Sequence, residues 1–99
     1  MEKRTPHYSL VDVKAMVARL GAAAFTKSAL DGGRALGMTT TEMLQCVQTL
    51  QPSHLHKSMT THANAAIWQD VYRGRFKEVA LYIKVTLRAN APVISFKEL

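Results

Sequence analysis

The sequence predicts an α+β domain in which about three helices pack on one face of a central antiparallel β-sheet. Two features carry that expectation. Apolar residues recur at helical spacing in the first half of the chain and at a period of two from Ile67 onward. The later segments are also joined by connections too short for parallel pairing, which needs a dozen or more residues.

Ser9 followed by Asp12 reads as an N-cap with an acidic first turn, and Leu10, Val13, Met16, Val17 and Leu20 then recur on one helical face up to Gly21. Ala22 to Thr26 is a short strand or a connector. Ser28 to Leu36 is a second short helix, weakened by Gly32-Gly33 and closed by Gly37. Thr40 or Thr41 caps a third, with Met43, Leu44, Val47 and Leu50 inward and Pro52 past its end. Ile67 to Arg75, Val79 to Arg88 and Val93 to Glu98 read as strands, joined by a turn near Gly74 to Glu78 and by Ala89-Asn90-Ala91-Pro92. The whole chain, residues 1–99, is expected to form one domain.

Composition narrows the class of partner. Thirteen Lys and Arg against seven Asp and Glu leave a formal charge of +6, and the pI is about 9.8. That balance favours a polyanion or an acidic protein as partner. A membrane role is not expected, because no apolar run approaches the roughly 20 residues of a spanning helix. Met1 to His7 is charged and has no apolar stretch of the kind a signal peptide carries. The one cysteine, Cys46, cannot form an internal disulfide and reads as a small core residue. A cytoplasmic protein is expected.

Alternation sorts the strands into two faces. Val79, Leu81, Ile83, Val85 and Leu87 share one side with Ile94 and Phe96. The other side collects Gln69, Arg73, Tyr82, Lys84, Arg88, Ser95 and Lys97. This face is cationic and carries a phenol and an amide. A solvated sheet face is often rich in Lys and Arg with no function attached, so charge alone does not separate a nucleic-acid surface from an ordinary one. Asp70 falls on the apolar side with Trp68 and Tyr72, where an edge position or a hydrogen bond must account for it. His54, His56 and His62 offer a second chemistry, a metal site, but no Cys or carboxylate stands at metal-site spacing around them, and scattered surface histidines are the simpler reading. The chain carries neither a glycine-rich phosphate loop nor a nucleophile elbow.

Four blocks take the reading further: Met1-Glu2-Lys3-Arg4-Thr5-Pro6-His7, Lys57-Ser58-Met59-Thr60-Thr61, Ile67-Trp68-Gln69-Asp70-Val71-Tyr72-Arg73 and Ile94-Ser95-Phe96-Lys97-Glu98. In this order, and in a chain of this size, they resemble the MqsR family of toxins from end to end, loosely between Ala15 and His54. The resemblance implies a RelE-like fold and a ribosome-independent mRNA endonuclease, cutting at GC-containing sites and neutralised by a cognate antitoxin. It places the catalytic residues at Lys57, Gln69 and Tyr82, with Met59, Arg73 and Lys97 as substrate-binding neighbours, and Lys84, on the same face by alternation, is expected to bind substrate with them. Gly74 stands where the family has a proline, and is expected to loosen the turn after the first strand.

With no cofactor or metal in that reading, cleavage needs a base for the 2′-OH proton, cations for the charge growing on phosphorus, and an acid for the leaving 5′-oxygen. Lysine and tyrosine then carry the proton transfers: Tyr82 or Lys57 is the base, Arg73 and Lys97 stabilise charge, and Gln69 positions phosphate or base. The alternative is a non-catalytic module that binds RNA or protein on the same face. The partners expected are mRNA and an antitoxin with an acidic contact surface. The antitoxin would either cover the active face or add a strand to the sheet edge at Val93 to Glu98, the edge being favoured.

Overall fold

The structure, a computed structural model, describes residues 1–88 and 91–98, with the backbone alone at 88, 91–93, 97 and 98. The helices are α1 (Leu10–Leu20), α2 (Lys27–Ala35) and α3 (Thr40–Gln48). A five-stranded antiparallel sheet runs in chain order from β1 (Glu2–Lys3) through β2 (Leu55–Thr60), β3 (Trp68–Phe76) and β4 (Val79–Arg88) to β5 (Ala91–Glu98). Two of these strands, β1 and β2, were not expected from periodicity. The α+β class and the three later strands were.

Each helix starts at a polar cap. Ser9 Oγ accepts from the Asp12 N–H at α1, and Thr26 Oγ1 accepts from the Ala29 N–H at α2. For α3 the cap is Thr39 rather than Thr40 or Thr41. Its hydroxyl accepts from the Glu42 N–H while the Glu42 carboxylate accepts from the Thr39 N–H, a reciprocal box that satisfies two end donors. Ala22 to Thr26 is neither strand nor plain connector: a 3-10 turn, Gly21–Ala24, leads to Phe25, which bridges in parallel to Ile94.

The helices cover one face of the sheet. Val13 and Val17 of α1, Ala29 of α2 and Met43, Cys46 and Val47 of α3 are buried with Tyr72, Leu81, Ile83, Val85, Ile94 and Phe96. Gly33 permits the α2–α3 approach, because a Cβ there would collide with the Met43 side chain. Gly74 works in the same way and not as a turn residue. It sits within β3 opposite Leu81, and an added Cβ would lie 2.7 Å from Ile83 Cδ1. Gly74 therefore lies outside the turn it was expected to loosen. The turn after β3 is Lys77-Glu78, closed by the Phe76–Val79 pair, with Lys77 at φ 52°.

Asp70 explains how the first residues join the sheet. It is 1% exposed in the central strand. Both carboxylate oxygens accept from the His7 N–H at 3.0 Å, and Oδ2 also accepts from the Tyr8 N–H at 2.9 Å. The Tyr8 hydroxyl donates to the Trp68 carbonyl at 2.7 Å. His7 stacks on the Trp68 ring at 5.2 Å, and Lys3 Nζ stands 4.3 Å from the centre of that ring. A hydrogen bond, and not an edge position, accounts for the buried acid.

Asp70→Ala removes a charged acceptor and leaves two N–H groups without it. Bonds to charged groups contribute roughly 1.5–3 kcal/mol each. A loss of about 3 kcal/mol in urea unfolding is expected, with amide exchange accelerating first at residues 2–8.

Candidate active site on the open sheet face

The face turned away from the helices is built in rows across the strands. Lys57, Val71, Lys84 and Ser95 are successive cross-strand partners, and Arg73, Tyr82 and Lys97 form the adjoining row. Gln69 stands opposite Met59. The alternation read from sequence thus holds for Gln69, Arg73, Tyr82, Lys84 and Ser95. The side chains of Arg88 and Lys97 lie outside the described residues, so only their register is given.

A pocket of about 210 Å³ opens over Val71, lined by His56, Lys57, Met59, Tyr82 and Lys84. Val71 is 3% exposed and gives it an apolar floor, on which the stems of the two lysines can rest while their charges stay in water. The structure therefore brings four of the expected site residues together: Lys57, Met59, Tyr82 and Lys84. Gln69 lies beside Met59, outside that lining, and Arg73 lines an adjoining cleft.

Lys57 is not in a segment entering the sheet but inside β2, and its ammonium donates to Glu2 Oε1 at 2.8 Å. That bond and the charge of Lys57 hold the Glu2 carboxyl below its ordinary pKa. Both side chains are partly exposed, so the pair is a weak tether rather than a lock.

His56 is the residue that sequence reasoning set aside as a surface histidine. In a regular strand it would point to the face opposite Lys57. Here the register slips: Leu55 pairs with Tyr72 and Lys57 with Val71, so the two flanking residues span a single step of β3 and His56 is the extra residue of a β-bulge. Bulges re-aim side chains, and this one turns His56 onto the open face, with its ring centre 5.4 Å from that of Tyr82 and tilted by 32°. Burial lowers its pKa from the ordinary histidine value, and the charges of Arg73, Lys57 and Arg4 lower it further, against a small opposing effect of Glu2. The signal available in the sequence was adjacency to Lys57; nothing in the alternation marked the bulge.

The other histidines behave differently. His54 Nδ1 accepts from the Gln51 N–H in a 3-10 turn, Pro52–His54, and His62 is exposed after β2. Among the described residues, no group of three His, Cys, Asp or Glu side chains is placed to hold a metal ion. Cys46 is 8% exposed, with its thiol pKa raised by burial and by Glu42.

This geometry belongs with a known sequence pattern. Residues 5–98 match the family model described as "Motility quorum-sensing regulator, toxin of MqsA". The chain is also 42% identical over 98 residues to the mRNA interferase toxin MqsR of Escherichia coli (strain K12), covering 99% of both chains. With a full-length match of both kinds, the chain belongs to the MqsR toxin family.

Proposed function

We propose that the protein is the toxin of a toxin–antitoxin pair, a metal-independent endoribonuclease that cuts mRNA at GC-containing sites on the open sheet face. The single observation that carries the reading is the pocket in which Tyr82, His56, Lys57 and Lys84 converge over Val71. A surface that only held RNA would need the cations, but not a phenol pressed against an imidazole. Membership of a family described as toxins, and similarity to a relative named an mRNA interferase, support it.

In the reaction proposed, the 2′-oxygen attacks the adjacent phosphorus as its proton passes to a base. The bond from phosphorus to the 5′-oxygen breaks, and an acid protonates that oxygen. The products are a 2′,3′-cyclic phosphate and a 5′-hydroxyl. Tyr82 and His56 form the proton-transfer pair. The lowered pKa leaves the imidazole neutral, hence able to accept a proton, at neutral pH. Lys57, Lys84, Arg73 and Lys97 stabilise the charge growing on the phosphoryl oxygens. For Lys57 this requires exchanging Glu2 for a phosphate, a replacement of one anionic partner by another. Gln69 and Met59, side by side at the end of the face, bind the neighbouring base.

The second partner is a cognate antitoxin. A charge of +6 favours an acidic contact surface through faster association. At the β5 edge, the Thr26 N–H already donates to the Ile94 carbonyl, so part of that edge is occupied within the chain itself. That shifts the preference toward the active face. In a titration of antitoxin into the triple variant Lys57→Ala, Gln69→Ala, Tyr82→Phe, an affinity loss of more than about 2 kcal/mol is expected; unchanged affinity would return the contact to an edge.

Cleavage of a labelled mRNA should persist in excess EDTA; loss of cutting that added metal restores would overturn the mechanism. Tyr82→Phe, Lys57→Ala and Gln69→Ala should each slow single-turnover cleavage, Tyr82→Phe by roughly 10²-fold or more, as for a lost acid or base. Because the His56 pKa is lowered, the rate should stay on its plateau through neutrality and fall only below about pH 6.5, the ordinary histidine value. That acidic limb should vanish in His56→Gln, and a limb that survives the substitution would remove His56 from the pair.

A further inference from the structure

The larger cleft on this face shares His56 and Arg73 with the chemistry just described, but its other walls, Arg4, Ser53, His54 and Leu55, have no part in it. It measures about 550 Å³ and is lined by Arg4, Ser53, His54, Leu55, His56 and Arg73. It shares one wall, His56, with the pocket that holds Tyr82 and Lys57. Arg73 is the cross-strand partner of Tyr82, so the two spaces are contiguous along the sheet.

Its lining is cationic, with two guanidiniums, two imidazoles and a serine hydroxyl, and no carboxylate among the described lining residues. Arg4 is held in place from two directions. Its Nη1 donates to the His56 carbonyl at 3.1 Å, the carbonyl of the bulge residue. A few residues on, the His7 and Tyr8 N–H groups are fixed by Asp70. A guanidinium anchored by one N–H still presents a planar fork of donors, the geometry that binds a phosphate through two bonds. The field in the cleft is also positive. Arg4, Lys57 and Arg73 all act on His56 in the same sense, and Glu2 on β1 opposes them weakly; His54 and Tyr82 complete the titratable surroundings.

We propose that the cleft around Arg4 is a second RNA subsite, which holds the backbone phosphate next to the one that is cut, with His56 and Arg73 standing between the two. The subsite rests on the RNA reading above and names how the strand is gripped. A phosphodiester suits it better than a base, because its lining supplies charge-matched donors and no aromatic ring other than imidazole.

The test uses the full chain and a short RNA made uncleavable by a 2′-deoxy sugar at the cut site. Arg4→Gln is expected to weaken binding about tenfold and to lower the slope of log affinity against log salt by about 0.7, the value for one phosphate contact on a single strand. Arg4→Lys should recover part of the affinity. Replacing the one neighbouring phosphate by a neutral methylphosphonate should weaken binding to the unaltered protein and have little further effect on Arg4→Gln. On cleavable RNA the loss should appear in KM more than in kcat. Equal affinity and equal salt slope for Arg4→Gln and the unaltered protein would overturn the subsite. Loss of antitoxin binding with RNA binding intact would overturn it too, and would assign Arg4 to the protein partner. If the unaltered protein binds but does not cut, while Arg4→Gln still binds tenfold more weakly, the subsite stands and the nuclease reading falls.

Discussion

The buried carboxylate of Asp70 ties together parts of the chain that are far apart in sequence. It sits in the middle strand, opposite Ser58 of β2 and Val85 of β4, and it takes the N–H groups of His7 and Tyr8. A buried carboxyl group in such a place is tolerated only with donors to satisfy its oxygens. The N-terminal segment supplies them, and in doing so is drawn over β2. Two consequences follow on the open face. Glu2 reaches Lys57, and Arg4 reaches the His56 carbonyl. The charge pattern of the site is therefore set partly by residues about fifty positions away in the chain.

The rest of the site follows from burial on the other side. Leu81, Ile83 and Val85 have no exposed surface, and a one-residue slip of β4 would expose all three to water while burying Tyr82 and Lys84. That penalty fixes the rows Lys57–Val71–Lys84–Ser95 and Arg73–Tyr82–Lys97. Rigid strands, rather than loops, then hold the phenol, the amines and the guanidinium at fixed spacings. Only the bulge at His56 departs from the ladder, and it departs toward the pocket.

How much of this was legible depended on where the apolar signal lay. The strand Val79–Arg88 was read with its bounds and both faces correct, because its inward positions are uniformly apolar and meet helices. The β2 strand was invisible for the opposite reason. Its inward positions after Leu55 are Ser58 and Thr60, which face Asp70 and Trp68 across the ladder, and the bulge breaks what alternation remains. Lys57 was consequently placed by family resemblance alone, and His56 was set aside with the surface histidines. The cap of α3 was missed by one residue although Thr39 and Glu42 carry the spacing of a capping box. Gly74 was misread because a glycine required for close packing against Ile83 looks, in sequence, like one required for a turn.

The open face of this sheet, and not the helical side, is proposed to engage RNA. Chemical-shift mapping of the full chain with an uncleavable RNA tests it most directly. Perturbations should concentrate at Arg4, His56, Lys57, Arg73, Tyr82 and Lys84, leaving the exposed residues of α1, α2 and α3 unmoved. Perturbations centred on Arg19, Lys27 or Arg34, on the helical side, with the open face silent, would contradict it.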